Sequence, residues 1–231
     1  MNGLIRKYLV FTAGLYFLSL GIVLIIRSSL GSTPISSVNY VVSLNTPLSL
    51  GTCTFIINML LILGQFWLIR GNSTRKDCLE ILLQIPFSFL FSAFIDFNMY
   101  IASPIVPPNY FVAIALVLVG CLVQAIGVVL EIKPGVAMMS AEGFVKYASR
   151  RYNKEFGKLK VGFDITLVTI AVLSSLAFSG RIEGIREGSV IAATLTGLIV
   201  TFLNTRILTR RNLNRLIHTI RPTDSNENLS R

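Results

Sequence analysis

Charge is what this sequence has least of. Asp, Glu, Lys and Arg make up 14% of its 231 residues, against about a quarter in a soluble domain. Stretches 28–69 and 97–130 contain none of the four. Each is longer than the ~20 residues a membrane-crossing helix needs. There is a single histidine, His218, and the three cysteines, Cys53, Cys78 and Cys121, stand singly in apolar runs. No CxxC or Cys/His spacing suits a metal, so neither a metal nor another cofactor is expected. HExxH, Walker and nucleophile-elbow motifs are missing too, which argues against an enzyme and names no catalytic residue.

What is present is apolar: 53% of the chain is hydrophobic and the mean hydropathy is +0.69. The expected fold class is all-α, a polytopic membrane protein of about six transmembrane helices. Spans are expected over 8–26, 50–69, 78–97, 110–132, 161–179 and 188–208. Arg6 and Lys7 precede the first span, and no small-x-small cleavage site follows it, so the reading is a retained helix and not a signal peptide. Pro86 interrupts the third span, a kink that neighbouring helices can satisfy.

The net charge of +10 is carried beside apolar segments, which points to topology and anionic lipid headgroups and not to nucleic acid. With the N-terminus inside, every one of the 21 Lys and Arg residues except Arg27, Arg181 and Arg186 falls on the inner side. That bias fits an even number of spans, both termini cytoplasmic, in a bacterial cytoplasmic membrane. The tail is expected to lay Leu213, Leu216, Ile217 and Ile220 on the inner leaflet as an amphipathic helix and then to be disordered over 223–231.

The chain also resembles itself. Gly21-Ile22-Val23-Leu24-Ile25-Ile26-Arg27 matches Gly127-Val128-Val129-Leu130-Glu131-Ile132-Lys133, and the same ungapped offset pairs Gly51 with Gly157 and Asn58 with Asp164. This divides the chain into a first membrane repeat, 1–104, a second, 105–208, and a basic tail, 209–231. Three spans per repeat is odd, so the second copy is expected upside down relative to the first. Inverted repeats of this kind build a pseudo-two-fold site near the bilayer midplane in many secondary transporters.

LGIVLIIRSSLGSTPISS with LSLGTCTFIIN, its diverged copy IGVVLEIKPGVAMMSAEG, and REGSVIAATLTGLIV resemble the glycine-proline signature of the YczE/YyaS/YitT-type bacterial membrane proteins. The likeness runs over about 15–208. It implies a multi-span protein of the cytoplasmic membrane and no particular activity. The second copy departs from the first in placing Met138 and Ser140 where the first has Ser32 and Pro34.

Candidate chemistry lies in two polar stretches and a few buried groups. After Gly31, Thr33 suits an N-cap and Pro34 the first helical position, so a short helix is expected to begin there. Its free N–H groups, with Ser36, Ser37 and Asn39, could hold an anion or a carboxylate. The alternative is an amphipathic surface helix that only reverses the chain. The second copy repeats the pattern with Ser140 as N-cap and Glu142 in the first turn. There a flat or shallow helix is expected, because Lys146, Arg150, Arg151 and Lys154 would otherwise enter lipid. Asp164 is either part of a polar site with its matched Asn58, or simply the i,i+4 partner of Lys160. Glu131 and Asp96 are candidates for proton coupling; Asp96 could equally just face water. Arg27 and Lys133 are expected to snorkel to headgroups. Gln84 and Gln124 are expected to bond between helices, and Gly14, Gly21, Gly120, Gly127 and Gly197 to permit close packing.

The function that follows is a small permease for a small polar or anionic solute, with a homodimer as one way to thicken the wall around its path. The alternative is a non-transporting regulator or assembly partner of another membrane complex.

Overall fold

Residues 2–70 and 74–203 are described by a computed structural model, and every regular element among them is helical. The order is α1 (Asn2–Arg27), α2 (Pro34–Asn45), α3 (Leu50–Leu68), α4 (Arg75–Ile101), α5 (Tyr110–Ile132), α6 (Ser140–Tyr152), α7 (Phe156–Ser179) and α8 (Glu187–Phe202). Five of these, α1, α3, α4, α5 and α7, are long and apolar enough to cross a membrane, and the chain is an integral membrane protein. The expected sixth span coincides with α8, whose 16 described residues stop at Phe202. The rest of that span and the amphipathic tail lie outside the described residues.

Local chemistry sets the helix ends. Ser49 and Asn109 each accept a backbone N–H of the first turn, of α3 and α5 respectively. At α4, Thr74 and Asp77 form a reciprocal capping box, which satisfies two of the donors a helix start leaves free. Asn153 and Gly180 end α6 and α7 in the left-handed region. Pro86 sits inside α4 without breaking it.

The α1–α5 pair is the packing centre. Gly14 faces Glu131, Gly21 faces Gln124 and Gly120 faces Ile25, so the two helices run antiparallel. A Cβ at Gly14 would lie 2.6 Å from the Glu131 nitrogen and one at Gly120 2.7 Å from the Ile25 side chain. At Gly21 and Gly127 it would meet the backbones of Gln124 and Leu18. Four glycines, two turns apart on each helix, thus let two backbones touch, the expected use of small residues in apolar surroundings. Gly197 is the exception: among the described residues nothing lies within 4 Å of its Cβ position.

Around this pair, α4 packs on α1 and α8 packs on α5; α2 and α6 each lie against both α3 and α7. Phe11, Leu15, Leu18 and Ile22 of α1 join Phe91 and Ile95 of α4 in the largest apolar cluster.

Candidate functional site

One face of α3 organises the polar interior. Thr54, Asn58 and Gln65 fall on the same side of a helix of 3.6 residues per turn, and each holds a different partner. Asn39 of α2 donates its Nδ2 to Thr54 Oγ1 at 3.2 Å. Ser140, the first residue of α6, donates its hydroxyl to Asn58 Oδ1 at 2.7 Å. Gln65 donates its Nε2 to the Ser140 carbonyl at 3.0 Å and to Gln84 Oε1 at 2.8 Å, and Gln84 returns a bond to Gln65 Oε1 at 2.9 Å. Gly143 is pressed against that amide pair, with both side chains 2.8 Å from where its Cβ would be.

These bonds fix the depth of the short helices. Asn58 is near the middle of α3, so α6 starts at mid-span. From there it descends to the end of α3, where Arg151 donates to the carbonyls of Leu68 at 3.0 Å and Arg70 at 3.2 Å. The flat or shallow placement expected for α6 is therefore wrong. Its cations avoid lipid because acidic residues of α4 meet them: Lys146 Nζ lies 2.6 Å from Glu80, and Arg150 lies 3.1 Å from Asp77. Those carboxylates stand far off in sequence, so summing lone charges overstated the cost of an upright α6.

α2 leaves the centre the other way. Its Ile35 and Val38 share an apolar cluster with Ile57 of α3 and with Phe163 and Leu167 of α7. At its far end Asn45 Oδ1 accepts from Ser179, the last residue of α7, at 2.8 Å. Both short helices thus begin beside the middle of α3 and point apart.

The expected start of α2 is found as read, with Thr33 as N-cap and Pro34 opening the helix. The Thr33 hydroxyl, though, pairs with the Ser36 hydroxyl and caps no backbone donor. The buried Ser37 bends back to donate its hydroxyl to the Pro34 carbonyl at 2.7 Å, within its own helix. At α6 the N-cap is Met139, one residue before the expected Ser140, whose hydroxyl is taken by Asn58. Neither start is capped by a side chain, so first-turn N–H groups remain open at both.

Two side chains at this centre are buried with an atom unused. Asn39 is 3% exposed and Asn58 7%, yet Asn39 Oδ1 and Asn58 Nδ2 have no hydrogen-bond partner. Buried polar atoms of this kind are rare, and each asks for a reason.

The remaining candidates fall into two places. Glu131, 6% exposed, lies level with Gly14, about 18 Å along α1 from its first residue at 1.5 Å per residue. Its carboxylate is near the Met139 backbone N–H at the start of α6 and feels the charge of Glu142. Glu142 in turn is within electrostatic reach of Lys160 and Asp164. Asp164 takes the local partner, Lys160, at 2.6 Å, and does not mirror the bond of its matched Asn58. Asp96 lies elsewhere, at the opposite end of α3, where its two oxygens accept from Ser49 Oγ and the Gly51 N–H, both at 2.7 Å.

Arg27 does not reach out to a headgroup. It donates to the Met99 carbonyl at 2.7 Å and lines a cavity of about 660 Å³ with Tyr40, Ser43, Ser49 and Asp96. A second cavity, about 310 Å³, adjoins it through Ser29 and Tyr40 and is lined by Arg181, Glu183 and Arg186. Lys133, matched to Arg27 in the repeat, also turns inward: its Nζ is buried without a partner, and that desolvation holds the ammonium below the ordinary lysine range. Gln84 bonds between helices as expected, whereas the Gln124 side-chain oxygen has no partner. Sequence reasoning missed Gln65 altogether, although its position eleven residues beyond Thr54 on the same helix face would have signalled it.

Residues 5–205 match a family model described as a family of unknown function (DUF6198), and the chain belongs to that family. No curated protein and no solved structure matches it.

Proposed function

We propose that this protein is a small secondary transporter of the bacterial cytoplasmic membrane, both termini inside, in which two inverted three-span repeats hold a polar or anionic solute between the starts of α2 and α6. One observation carries the reading. At the middle of α3, beside two uncapped helix starts that point apart, Asn39 and Asn58 keep one donor and one acceptor unused. A solute with complementary groups would satisfy them, while half-helix N-termini favour its negative end. Thr33 and Ser36 border the same place from α2, and Ser140, Glu142 and Glu131 border it from the other half.

The packing supports the repeat. Exchanging the first four helices for the last four turns the α1–α4 contact into α5–α8, α2–α7 into α6–α3, and α2–α3 into α6–α7, and leaves α1–α5 on the axis; only α3–α4, with no comparable α7–α8 contact among the described residues, and the slight α4–α6 contact depart from it. Gly14 pairs with Gly120 at the offset that relates Gly21 to Gly127. The likeness to YczE/YyaS/YitT-type proteins is part of this reading and adds no substrate. On this reading Glu131, buried near the end of α5 and beside the start of α6, is the candidate for proton coupling.

The test is uptake by the purified protein in liposomes. Candidate solutes are first selected as those that raise its unfolding temperature, since a ligand at a hundred times its Kd stabilises by about 2.7 kcal/mol. A selected solute is expected to accumulate under a proton gradient, and Asn58→Leu to abolish both stabilisation and uptake. Stabilisation without uptake under any gradient would leave the non-transporting regulator as the better reading.

A further inference from the structure

Arg27, Arg181 and Arg186, the basic residues that charge counting leaves on the outer side, converge on one place. Arg27 lines the larger cavity and Arg181 and Arg186 the smaller, and the two cavities share Ser29 and Tyr40. Two carboxylates share that lining, and both are occupied. Asp96 accepts from Ser49 and from the backbone at the start of α3, where the helix end already answers its charge. Glu183 pairs with Arg181 at 3.2 Å. Arg27 and Arg186 make no ion pair among the described residues. The Arg186 guanidinium donates to the Ser29 carbonyl at 3.2 Å. Arg27 spends one NH2 on Met99, and its Nε is buried with no partner at all.

A guanidinium drawn out of water without an anion is unfavourable, and its fork is shaped for a carboxylate or phosphate. The space beside Arg27 takes such a group many times over, given that a liquid water occupies about 30 Å³. We propose that the double cavity is a binding vestibule for a small free anion, carboxylate or phosphate, with Arg27 as its main contact and Arg186 as the second. This deepens the transporter reading and rests on it for sidedness: it gives the solute a negative charge and an outer docking station. Tyr40 stands in the wall common to both cavities.

The experiment needs no knowledge of the solute. In the full chain with Cys53, Cys78 and Cys121 replaced by alanine, Ser43→Cys places a thiol in the vestibule wall. The protein is held in phosphatidylcholine nanodiscs and labelled with a negatively charged or a positively charged methanethiosulfonate. Each kT of positive potential favours the anionic reagent by about sevenfold over its ratio on free 2-mercaptoethanol, and charged clefts reach a few kT. A shift of at least sevenfold is expected, reduced by Arg27→Gln and retained by Arg27→Lys. Millimolar succinate or inorganic phosphate is expected to slow labelling where chloride of equal ionic strength does not. A ratio like that of the free thiol overturns the proposal, as does a bias indifferent to Arg27. So does blockage that appears only when phosphatidylglycerol is added, which would make a lipid headgroup the occupant. Should Arg27→Gln fail to fold, the bias and the anion protection in the parent chain decide alone. Charge bias with protection but no liposome uptake would sink the transporter reading and leave the anion site. Uptake without bias would do the reverse.

Discussion

At the scale of single residues, this interior is held by a few amides and hydroxyls whose partners lie on other helices. Gln65 is the most connected: it is fully buried, bonded twice to Gln84 and once to the Ser140 carbonyl. Replacing Gln84 by leucine leaves one donor bond to Gln65 and strands its acceptor. Bonds between membrane helices couple by about 0.6 kcal/mol on average and about 1.7 at most, whereas a stranded buried polar atom costs about 1–3 kcal/mol. Gln84→Leu is therefore expected to destabilise by about 1–3 kcal/mol in reversible unfolding from detergent micelles. Adding Gln65→Leu should cost less than the sum of the two single changes, because the second removes the stranded atom. Additive losses would show that the pair is not coupled. Some of this was legible beforehand: Gln84 reads as an interhelical donor because an amide in an apolar run has no other use. Its partner was missed: the spacing from Thr54 puts Gln65 on the polar face of α3, but nothing local says that this face meets Gln84 of α4.

Elements were easier to read than their placement. Helix identity follows from apolar runs of the right length, and the starts of α2, at Thr33 and Pro34, and of α5, at Asn109 and Tyr110, follow from capping chemistry. The orientation of α6 was hidden because it depends on Asp77 and Glu80, whose contact with Arg150 and Lys146 only the tertiary fold creates. The candidate site was likewise legible as a set of residue types: Asn39, Asn58 and Ser140 are brought to one face of α3, whereas Asp96 is spent at a helix end. Glycines make the sharpest test at this scale. Gly21→Ala puts a methyl into the Gln124 backbone, an overpacking that costs about 1–3 kcal/mol. Gly197→Ala meets nothing within 4 Å and gains up to about 1 kcal/mol of helix propensity. Opposite signs of the change in unfolding temperature are expected; a harmless Gly21→Ala would mean that α1 and α5 are not in backbone contact.

The two ends of the whole molecule are built differently. One end carries the two cavities; at the other, α6 is tied to the start of α4 by Lys146–Glu80 and Arg150–Asp77, with the Tyr147 hydroxyl donating to Glu80 at 3.2 Å. On the transporter reading proposed above that end has to open, so its latch is expected to be weak. The Lys146 and Glu80 side chains are 40% and 52% exposed, and such pairs contribute about 0–1 kcal/mol each. The Asp77 side chain is only 11% exposed and forms the firmer half. Together the two pairs are worth about 1–2 kcal/mol, enough to change the open fraction roughly tenfold at 1.4 kcal/mol per decade. Ala141 is 4% exposed behind this latch. In a chain without native cysteines, Ala141→Cys is expected to react slowly with a charged thiol reagent supplied from the α6 cation side. Glu80→Lys, which removes the more exposed of the two pairs, should speed that reaction up to about fivefold, and exchanging the charges with Lys146→Glu in the same chain should restore the slow rate. Equal rates in all three would show that this end does not open by parting α6 from α4, and α6 would then be a fixed part of the wall.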